Sequence, residues 1–363
     1  MLKINLKPKN ILINFFPSQN YNQKMDYKID SNLILNITLN KYLDLVGNIE
    51  VIDIIYMFVT SSISLIGSIF NFFCIWIFFS KDFTQSFYIH YRILSINSFL
   101  HDFFGFFYSL CVSPRYVPTN YQYFCVQVQY AFVPLHLFFF FHSGLIEISI
   151  LMDRLKIFNK TINKYFKLEP KKISIILFFI SFLFGLSGIF IYKPIESTWY
   201  NYVNVNSTHK FERNFFYYLG RSDFAQTSVG SIYVATLSTI HNIPLLIITI
   251  ILNLTLVILM KRHARQSAIR FNNNNSSQAE QKKQKANRRA SSMAIVLCSI
   301  SIISRMVSVI GIISYNLNPN ILSQILVSLV DLFILADSGS LFFVCFSFNK
   351  IFRGKAKKIK MFS

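Results

Sequence analysis

The chain has 363 residues, of which 53% are hydrophobic and only 14% are charged, and its mean hydropathy is +0.43. Soluble domains usually carry about 25% charged residues, so this composition argues against a soluble enzyme. The charge is unbalanced, because 36 Lys and Arg against 16 Asp and Glu leave a net charge of +20. In an apolar chain this excess indicates basic loops on the cytosolic side of a membrane, with no nucleic acid as partner.

The sequence contains none of the common catalytic or metal-binding motifs. Five cysteines are too few for a dense disulfide framework, and their spacing suggests no zinc site. Glycine-rich phosphate loops and the H-E-x-x-H pattern are also absent. We therefore expect no enzymatic activity, no catalytic residues, no metal and no cofactor.

Seven stretches of roughly 20 mostly apolar residues are long enough to cross a bilayer. They cover 51–79, 93–112, 130–152, 173–191, 229–260, 293–315 and 321–346. The predicted fold is an all-α integral membrane protein, a bundle of seven transmembrane helices. Residues 1–50 form an extracellular N-terminal segment and 51–347 the bundle, which includes a flexible, solvated cytosolic loop at 261–292. Residues 348–363 form a basic cytosolic tail that opens with a short amphipathic eighth helix on the inner leaflet.

The orientation follows from the distribution of basic residues. The loops after spans one, three and five, together with the tail, hold 24 of the 36 Lys and Arg. Such loops remain in the cytosol, so the C-terminus is predicted to be cytosolic and the N-terminus external. Two glycosylation sequons, at Asn36 and Asn206, fall in segments placed outside.

Ionisable residues inside the spans are costly in lipid and are therefore functional candidates. His136 and Phe140 share one stripe of the third span with Ser143, Glu147 and Arg154, given 3.6 residues per turn. The stripe is predicted to face the bundle interior, with His136 in the outer part of the membrane. An interhelical hydrogen bond is the alternative role for His136.

Arg305 and Asp331 lie at similar depth in the sixth and seventh spans. They could pair with each other, or Arg305 could receive an anionic ligand, since a guanidinium suits carboxylate and phosphate groups. The predicted ligand-binding residues are His136, Phe140, Arg305 and Asp331.

The third span ends in Asp153-Arg154, where the helix is expected to meet the cytosol. Seven spans, an external N-terminus and this acid–base pair resemble the G-protein-coupled receptor superfamily. Gly67 with Asn71, and Asp102, are similar to elements of its first and second spans. The resemblance implies that Asp153 holds Arg154 at rest and that release lets Arg154 face a G protein.

Several positions depart from the main rhodopsin-like families. Asp337-Ser338-Gly339-Ser340-Leu341 keeps only the acid of the family's seventh-span motif, and the sixth span has no proline. The long loop between spans four and five has no cysteine. Over about residues 50–355 the chain looks more like the nematode serpentine chemoreceptors of the Srg superfamily (Srg, Srv, Sru, Srx), with the subfamily left open.

The resemblance also suggests a central polar cluster and leaves a disulfide open. Asn71, Asp102, Ser143 and Asp337 match the family's buried polar positions and could form either a structural network or a sodium site. Two carboxylates in one site cannot both ionise cheaply, so one could also stay protonated. Cys111 and Cys125 flank the first external loop and could form a disulfide or remain free thiols.

The resulting expectation is a chemosensory receptor in the plasma membrane, with sensory cilia as a more specific location. Its partners would be an external small molecule, a heterotrimeric G protein and the lipid bilayer. An odorant-gated ion channel is the first alternative, although insect channels of that kind have a cytosolic N-terminus. A multi-span transporter or a membrane-embedded enzyme is the second, because Asp102, Glu147, Asp331 and Asp337 supply acids within the membrane.

Overall fold

The computed structural model describes residues 57–83, 88–111, 119–165, 169–205, 208–272, 278–317 and 321–358. Within them, ten α-helices, one short 3₁₀-helix (Ser187–Phe190) and one β-hairpin follow one another. The helices are α1 (Met57–Phe78), α2 (Tyr88–Leu110), α3 (Thr119–Phe158), α4 (Lys160–Tyr165), α5 (Pro170–Leu186), α6 (Asp223–Gln226), α7 (Ser228–Asn272), α8 (Gln278–Leu317), α9 (Ile321–Phe348) and α10 (Lys350–Ala356). The hairpin consists of β1 (Tyr192–Val205) and β2 (Thr208–Arg221), which pair antiparallel.

Six of these helices are long and apolar enough to cross a membrane, among the residues the structure describes: α1, α3, α5, α7, α8 and α9. The helix α2 has the length, 23 residues, but not the hydropathy. His90, Arg92, His101 and Asp102 lower its apolar character, and three of these four side chains are buried in the bundle. A helix whose polar side chains pack inward can join a bundle without a strongly apolar sequence.

The helix α3 is central to the bundle, since it packs against α2, α5, α7, α8 and the hairpin. Its contact with α5 is close because α5 and the turn after it present glycines. A Cβ added at Gly185 would lie 2.6 Å from the Cβ of Phe138, and one at Gly188 would lie 3.1 Å from the Cα of Pro134. The small residues therefore set the spacing of these two helices.

The largest apolar core lies at the end of the bundle where α10 packs. It joins side chains from α1, α2, α3, α8 and α9 with Phe352 and Ala356 of α10, both fully buried. Asn349 caps α10 by accepting hydrogen bonds from the amides of Ile351 and Phe352. The short helix α10 lies within the predicted tail 348–363, and Phe352 packs into the core while Ile351 stays exposed.

The outside of the bundle is apolar. Large hydrophobic side chains are exposed along α1, α5, α7 and α8, and those on α5 include Ile175, Phe179 and Leu183. Soluble monomers rarely expose contiguous apolar surface of this extent. The exposed apolar belt therefore fits a surface covered by lipid.

Two segments differ from the sequence-based expectation. The hairpin Tyr192–Arg221 is an exception to an all-α fold, and its Tyr, Val, Thr and Phe residues are those that favour strands. The segment 261–292 was expected to be a flexible loop. Instead α7 continues to Asn272 and α8 begins at Gln278, because the Lys, Arg, Gln and Ala residues there are strong helix formers.

Candidate functional site

A cavity of about 220 Å³, here called the hairpin cavity, lies beneath the start of the hairpin. It contains His136 and Asp331, two of the four residues predicted to bind ligand. The remaining lining residues come from α1, α2, α3, α7, α9 and β1 and are Thr60, Gly105, Tyr108, Ser109, Phe132, Val133, Leu137, Ile191, Tyr192, Val234 and Leu335. An apolar lining with a few polar groups is the usual composition of a small-molecule site.

Aromatic rings form one side of the hairpin cavity. Phe132 stacks on Tyr108 with ring centroids 4.5 Å apart, and the imidazole of His136 lies 5.5 Å from the Phe132 ring. On its other side His136 stacks on Phe140 at 6.1 Å, with the two rings nearly parallel. The α2–α3 wall of the cavity is therefore aromatic and closely packed.

A histidine pair separates this cavity from a second one. His136 Nδ1 lies 3.0 Å from His101 Nε2, so one imidazole donates a hydrogen bond to the other. His101 is buried, and its Nδ1 lies 3.9 Å from Oδ1 of Asp102. His101 was not among the predicted site residues, although its place beside Asp102 within a span was the available signal.

The second cavity, here called the central cavity, has a volume of about 20 Å³. Its lining includes Phe140, Glu147, Arg305 and Asp337. Arg305 is only 1% exposed, its Nη2 donates to the carbonyl oxygen of Phe140 at 3.3 Å, and its Cζ lies 4.4 Å from the centroid of the Phe140 ring. The carboxyl groups of Glu147 and Asp337 line the same cavity as this guanidinium.

The four predicted ligand-binding residues thus divide between two cavities. His136 and Asp331 line the hairpin cavity, whereas Phe140 and Arg305 line the central one. Arg305 and the suggested partner Asp331 line different cavities, and Arg305 instead shares its cavity with Glu147 and Asp337. Depth along a helix can be counted from the sequence, but the rotation of α8 relative to α9 cannot, and rotation decides which acid the arginine faces.

The predicted central polar cluster forms as separate groups of contacts. Asn71 Nδ2 donates to Oδ2 of Asp102 at 2.9 Å and to the carbonyl oxygen of Ser338 at 3.0 Å, which joins α1, α2 and α9. Ser143 instead accepts a hydrogen bond from Asn97 Nδ2 at 2.6 Å. Asp337 faces the central cavity. Among the described residues, no group of three or more His, Cys, Asp or Glu side chains could hold a metal ion.

The Asp153-Arg154 pair lies near the end of α3, and its contacts differ from those the resemblance implies. Asp153 pairs with His90 Nε2 at 3.0 Å and with Lys156 Nζ at 2.9 Å. Arg154 is buried, in the neighbourhood of Tyr88, Tyr91 and Asp153. The acid is therefore held mainly by α2 and by its own helix.

The two thiols Cys111 and Cys125 are both buried and lie within hydrogen-bonding reach of each other. The structure has them as free thiols. The two predicted glycosylation sites, Asn36 and Asn206, lie outside the described residues.

Comparison with known proteins identifies the fold. No protein-family model matches the chain, and no curated protein matches it. Among solved structures it is similar to squid rhodopsin, with a TM-score of 0.58 and 14% sequence identity over 85% of this chain and 86% of that one. The chain therefore shares the helix arrangement of squid rhodopsin. At this identity the likeness concerns the arrangement of helices and not the ligand.

Proposed function

We propose that this chain is a chemosensory G-protein-coupled receptor that binds an external small molecule and activates a heterotrimeric G protein. The observation that carries the proposal is the hairpin cavity, a mostly apolar site within a receptor fold. A ligand bound there would favour one arrangement of the helices only by binding it more tightly than the other.

The topology belongs to the same proposal. We place α2 with the six apolar helices as a seventh span, which leaves the N-terminus outside and the C-terminus in the cytosol. The basic ends of α7 and α8 then lie in the cytosol near Arg154, where the G protein would dock. The receptor would reside in the plasma membrane, in sensory cilia where the cell has them, and its nearest group would be the nematode Srg superfamily.

The residues of the site take the following roles in this proposal. His136 and Asp331 contact the ligand, and Phe140 and Arg305 lie beneath it and respond to its presence. Asp153 and Arg154 form the switch at the G-protein end. Asn71, Asp102, Ser143 and Asp337 stabilise the bundle through separate polar contacts, and Asn36 and Asn206 carry glycans.

In the proposed orientation, Cys111 and Cys125 lie at the external end of the bundle. An external, oxidising environment would join Cys111 to Cys125, since their thiols are already adjacent. Peptide mapping without reductant, on protein from the cell surface, would show a Cys111–Cys125 crosslinked peptide. Complete alkylation of both thiols in that protein would contradict the bridge.

The test of function is G-protein nucleotide exchange in membranes that contain the full chain. A library of small volatile and polar compounds is screened against a panel of heterotrimers, and an Arg154→Ala variant is compared with the wild type. We expect compound-dependent exchange that this variant loses. Lys164→Ala, which removes a positive charge from an exposed residue of α4, is the matched control and should retain exchange.

Two outcomes would favour the alternative functions. Compound-evoked current in G-protein-free bilayers would indicate a ligand-gated channel. Accumulation of a compound inside sealed vesicles that contain the chain would indicate a transporter.

A further inference from the structure

His90 joins three helices at one end of the bundle. Its side chain on α2 is 1% exposed, and its Nε2 lies 3.0 Å from Oδ2 of Asp153 on α3. On the other side of the ring, Nδ1 lies 3.4 Å from Oγ of Ser174 on α5, which is also buried. Each ring nitrogen of this imidazole therefore faces an oxygen atom from a different helix.

The chemistry of these two oxygens decides the protonation of the ring. An ionised carboxylate only accepts hydrogen bonds, so Nε2 must carry a hydrogen to face Asp153 favourably. The hydroxyl of Ser174 donates its one hydrogen to the carbonyl oxygen of Pro170 at 2.9 Å, so its Oγ acts as an acceptor toward His90. Nδ1 must then donate as well. An imidazole that donates from both nitrogens is a cationic imidazolium, so the arrangement selects the charged form of His90.

The other oxygen of Asp153 is also held by a cation. Oδ1 accepts a hydrogen bond from Nζ of Lys156 at 2.9 Å, three residues further along α3. The carboxylate is thereby placed between a cation on α2 and a cation on its own helix. Arg154 follows Asp153 directly and is buried in the same neighbourhood. His90 and Lys156 therefore compete with Arg154 for one carboxylate.

The other ionisable groups around His90 differ from Asp153 in exposure or in position. Those next to it on α2 are Tyr88, Tyr91 and Arg92. The guanidinium of Arg92 donates to backbone oxygens at the end of α1 and in the turn that follows it. Those at the start of α5 are exposed and comprise Glu169, Lys171 and Lys172. The acids of α9, which also packs on α2, line the two cavities and are Asp331 and Asp337. Asp153 is therefore the acid that His90 contacts directly.

We propose that His90 is a positioning residue of the Asp153–Arg154 switch, and that its imidazolium draws the Asp153 carboxylate toward α2 and away from Arg154. Binding of a proton to His90 thereby favours the state in which Arg154 is released toward the G protein. Loss of the proton removes a donor and weakens the attraction, so the carboxylate returns to Arg154. This inference rests on the proposed function, because it assigns a regulation to that switch.

The sign of the pH dependence follows from this arrangement. Imidazole side chains change charge between about pH 5 and 8. In the proposed orientation this end of the bundle faces the cytosol. Acidification of the cytosol then charges the ring and raises coupling to the G protein, whereas alkalinisation lowers it. The switch thus responds to cytosolic acidity in addition to the external ligand.

The charge of His90 is measured without a G protein. The full chain is labelled with nitrogen-15 in its imidazole rings, placed in lipid nanodiscs and followed by NMR from about pH 5 to pH 8.5. The His90 signals are those that are missing from a His90→Gln variant. We expect both ring nitrogens to carry hydrogens at the acidic end of this range and only one nitrogen to do so at the alkaline end.

A serine pair on α5 provides a matched comparison. Ser174→Ala should lower the pH at which His90 loses its proton by about 0.5–1 unit, because the imidazolium loses the acceptor at Nδ1. Ser181→Ala is the control, since this hydroxyl is also buried on α5 and donates to the carbonyl oxygen of Leu177 in the same way. It should leave that pH unchanged.

The effect on signalling is measured as basal nucleotide exchange with the panel of heterotrimers, relative to chain-free nanodiscs at each pH. The wild type should be about threefold faster near pH 6 than near pH 8. His90→Gln should be slow at both values, and His90→Arg, which keeps a cation throughout, should restore the faster rate at both. If His90→Arg fails to fold, the two serine variants make the comparison, since only Ser174→Ala should displace the pH profile of exchange.

Three results would overturn the proposal: a His90 ring whose protonation does not change across this range, a pH dependence of exchange that His90→Gln retains, or exchange that rises with pH. A different outcome would contradict the proposed function instead. If His90 becomes doubly protonated at acidic pH but the chain promotes no exchange at any pH, the pairing of His90 with Asp153 stands and the receptor activity does not.

Discussion

Arg305 is the most demanding residue of the chain, because a guanidinium inside a membrane bundle requires both charge neutralisation and hydrogen bonds. Its Nη2 bonds to the Phe140 carbonyl oxygen, its Cζ lies over the Phe140 ring, and it shares the central cavity with two acids, Glu147 on α3 and Asp337 on α9. It therefore connects three helices at the centre of the bundle.

A double-mutant cycle tests this connection. Arg305→Gln should lower the free energy of unfolding by about 3–5 kcal/mol, because Glu147 and Asp337 then face each other without a cation. Adding Glu147→Gln should recover part of that loss. Thermal unfolding in detergent measures each variant, and Arg262→Gln, an exposed arginine on α7, is the control. Strictly additive effects would show that Arg305 and Glu147 do not interact.

Gly144 on α3 provides the space that Arg305 occupies. A Cβ at this position would overlap the guanidinium and approach Leu245 Cδ1 to 3.1 Å. Gly144→Ala should therefore lower the free energy of unfolding by about 1–3 kcal/mol, as other overpacked interiors do. Gly354→Ala is the control, since nothing lies within 4 Å of the Cβ it would add. Equal unfolding temperatures of the two variants would contradict the close contact.

At this scale the sequence singles out candidate residues but does not show which of them meet. Arg305, Asp331, His136 and Phe140 stand out because polar or aromatic groups at those depths require an explanation. Their division between two cavities depends on helix rotation and side-chain rotamers, which no spacing rule determines. Nothing in the sequence selects Tyr192 as a site residue. It lines the hairpin cavity from the start of β1, and the pattern of apolar residues does not reveal this strand.

Among the secondary-structure elements, α10 depends on one residue for both its start and its attachment. Asn349 accepts hydrogen bonds from two amides of α10, and its Nδ2 donates to the hydroxyl of Tyr88 on α2 at 3.1 Å. The fully buried ring of Phe352 then packs into the largest apolar core, where α10 meets the bundle.

Replacement of Asn349 separates these two contributions. Asn349→Ala should destabilise α10 by about 0.5–2 kcal/mol, the usual cost of a lost cap. Asn349→Asp keeps the cap and removes only the donor to Tyr88, so it should cost less. Hydrogen exchange of the amides of residues 350–356 gives the measurement. Faster exchange in the Asp variant than in the Ala variant would contradict the capping role.

The element-level predictions succeed where apolar runs are long and fail where membrane and water meet. The predicted spans at 173–191 and 321–346 correspond to α5 with the turn after it and to α9. The basic segments after Met260 and before Met293 are polar but retain helical preference, so they extend α7 and α8 where polarity alone indicated a loop. The hairpin was missed because its alternating pattern is mixed with charged and amide residues.

For the whole molecule, the distribution of charge makes a prediction about topology. Epitope tags at the two termini of the full chain should differ in intact cells: antibody should reach the N-terminal tag and should reach the C-terminal tag only after permeabilisation. The reason is that most basic residues lie in loops and a tail on the C-terminal side of the bundle. The opposite labelling pattern would contradict the orientation and, with it, the position of Arg154 in the cytosol.

The extension of α7 past the apolar part of the chain has a mechanical consequence. From Met260 to Asn272 the helix continues for about 18 Å, at 1.5 Å per residue. Such an extension acts as a rigid lever, so a tilt of about 10° at the membrane would move its tip by roughly 3 Å. A small tilt of α7 at the membrane would thus be amplified into a displacement large enough for another protein to recognise.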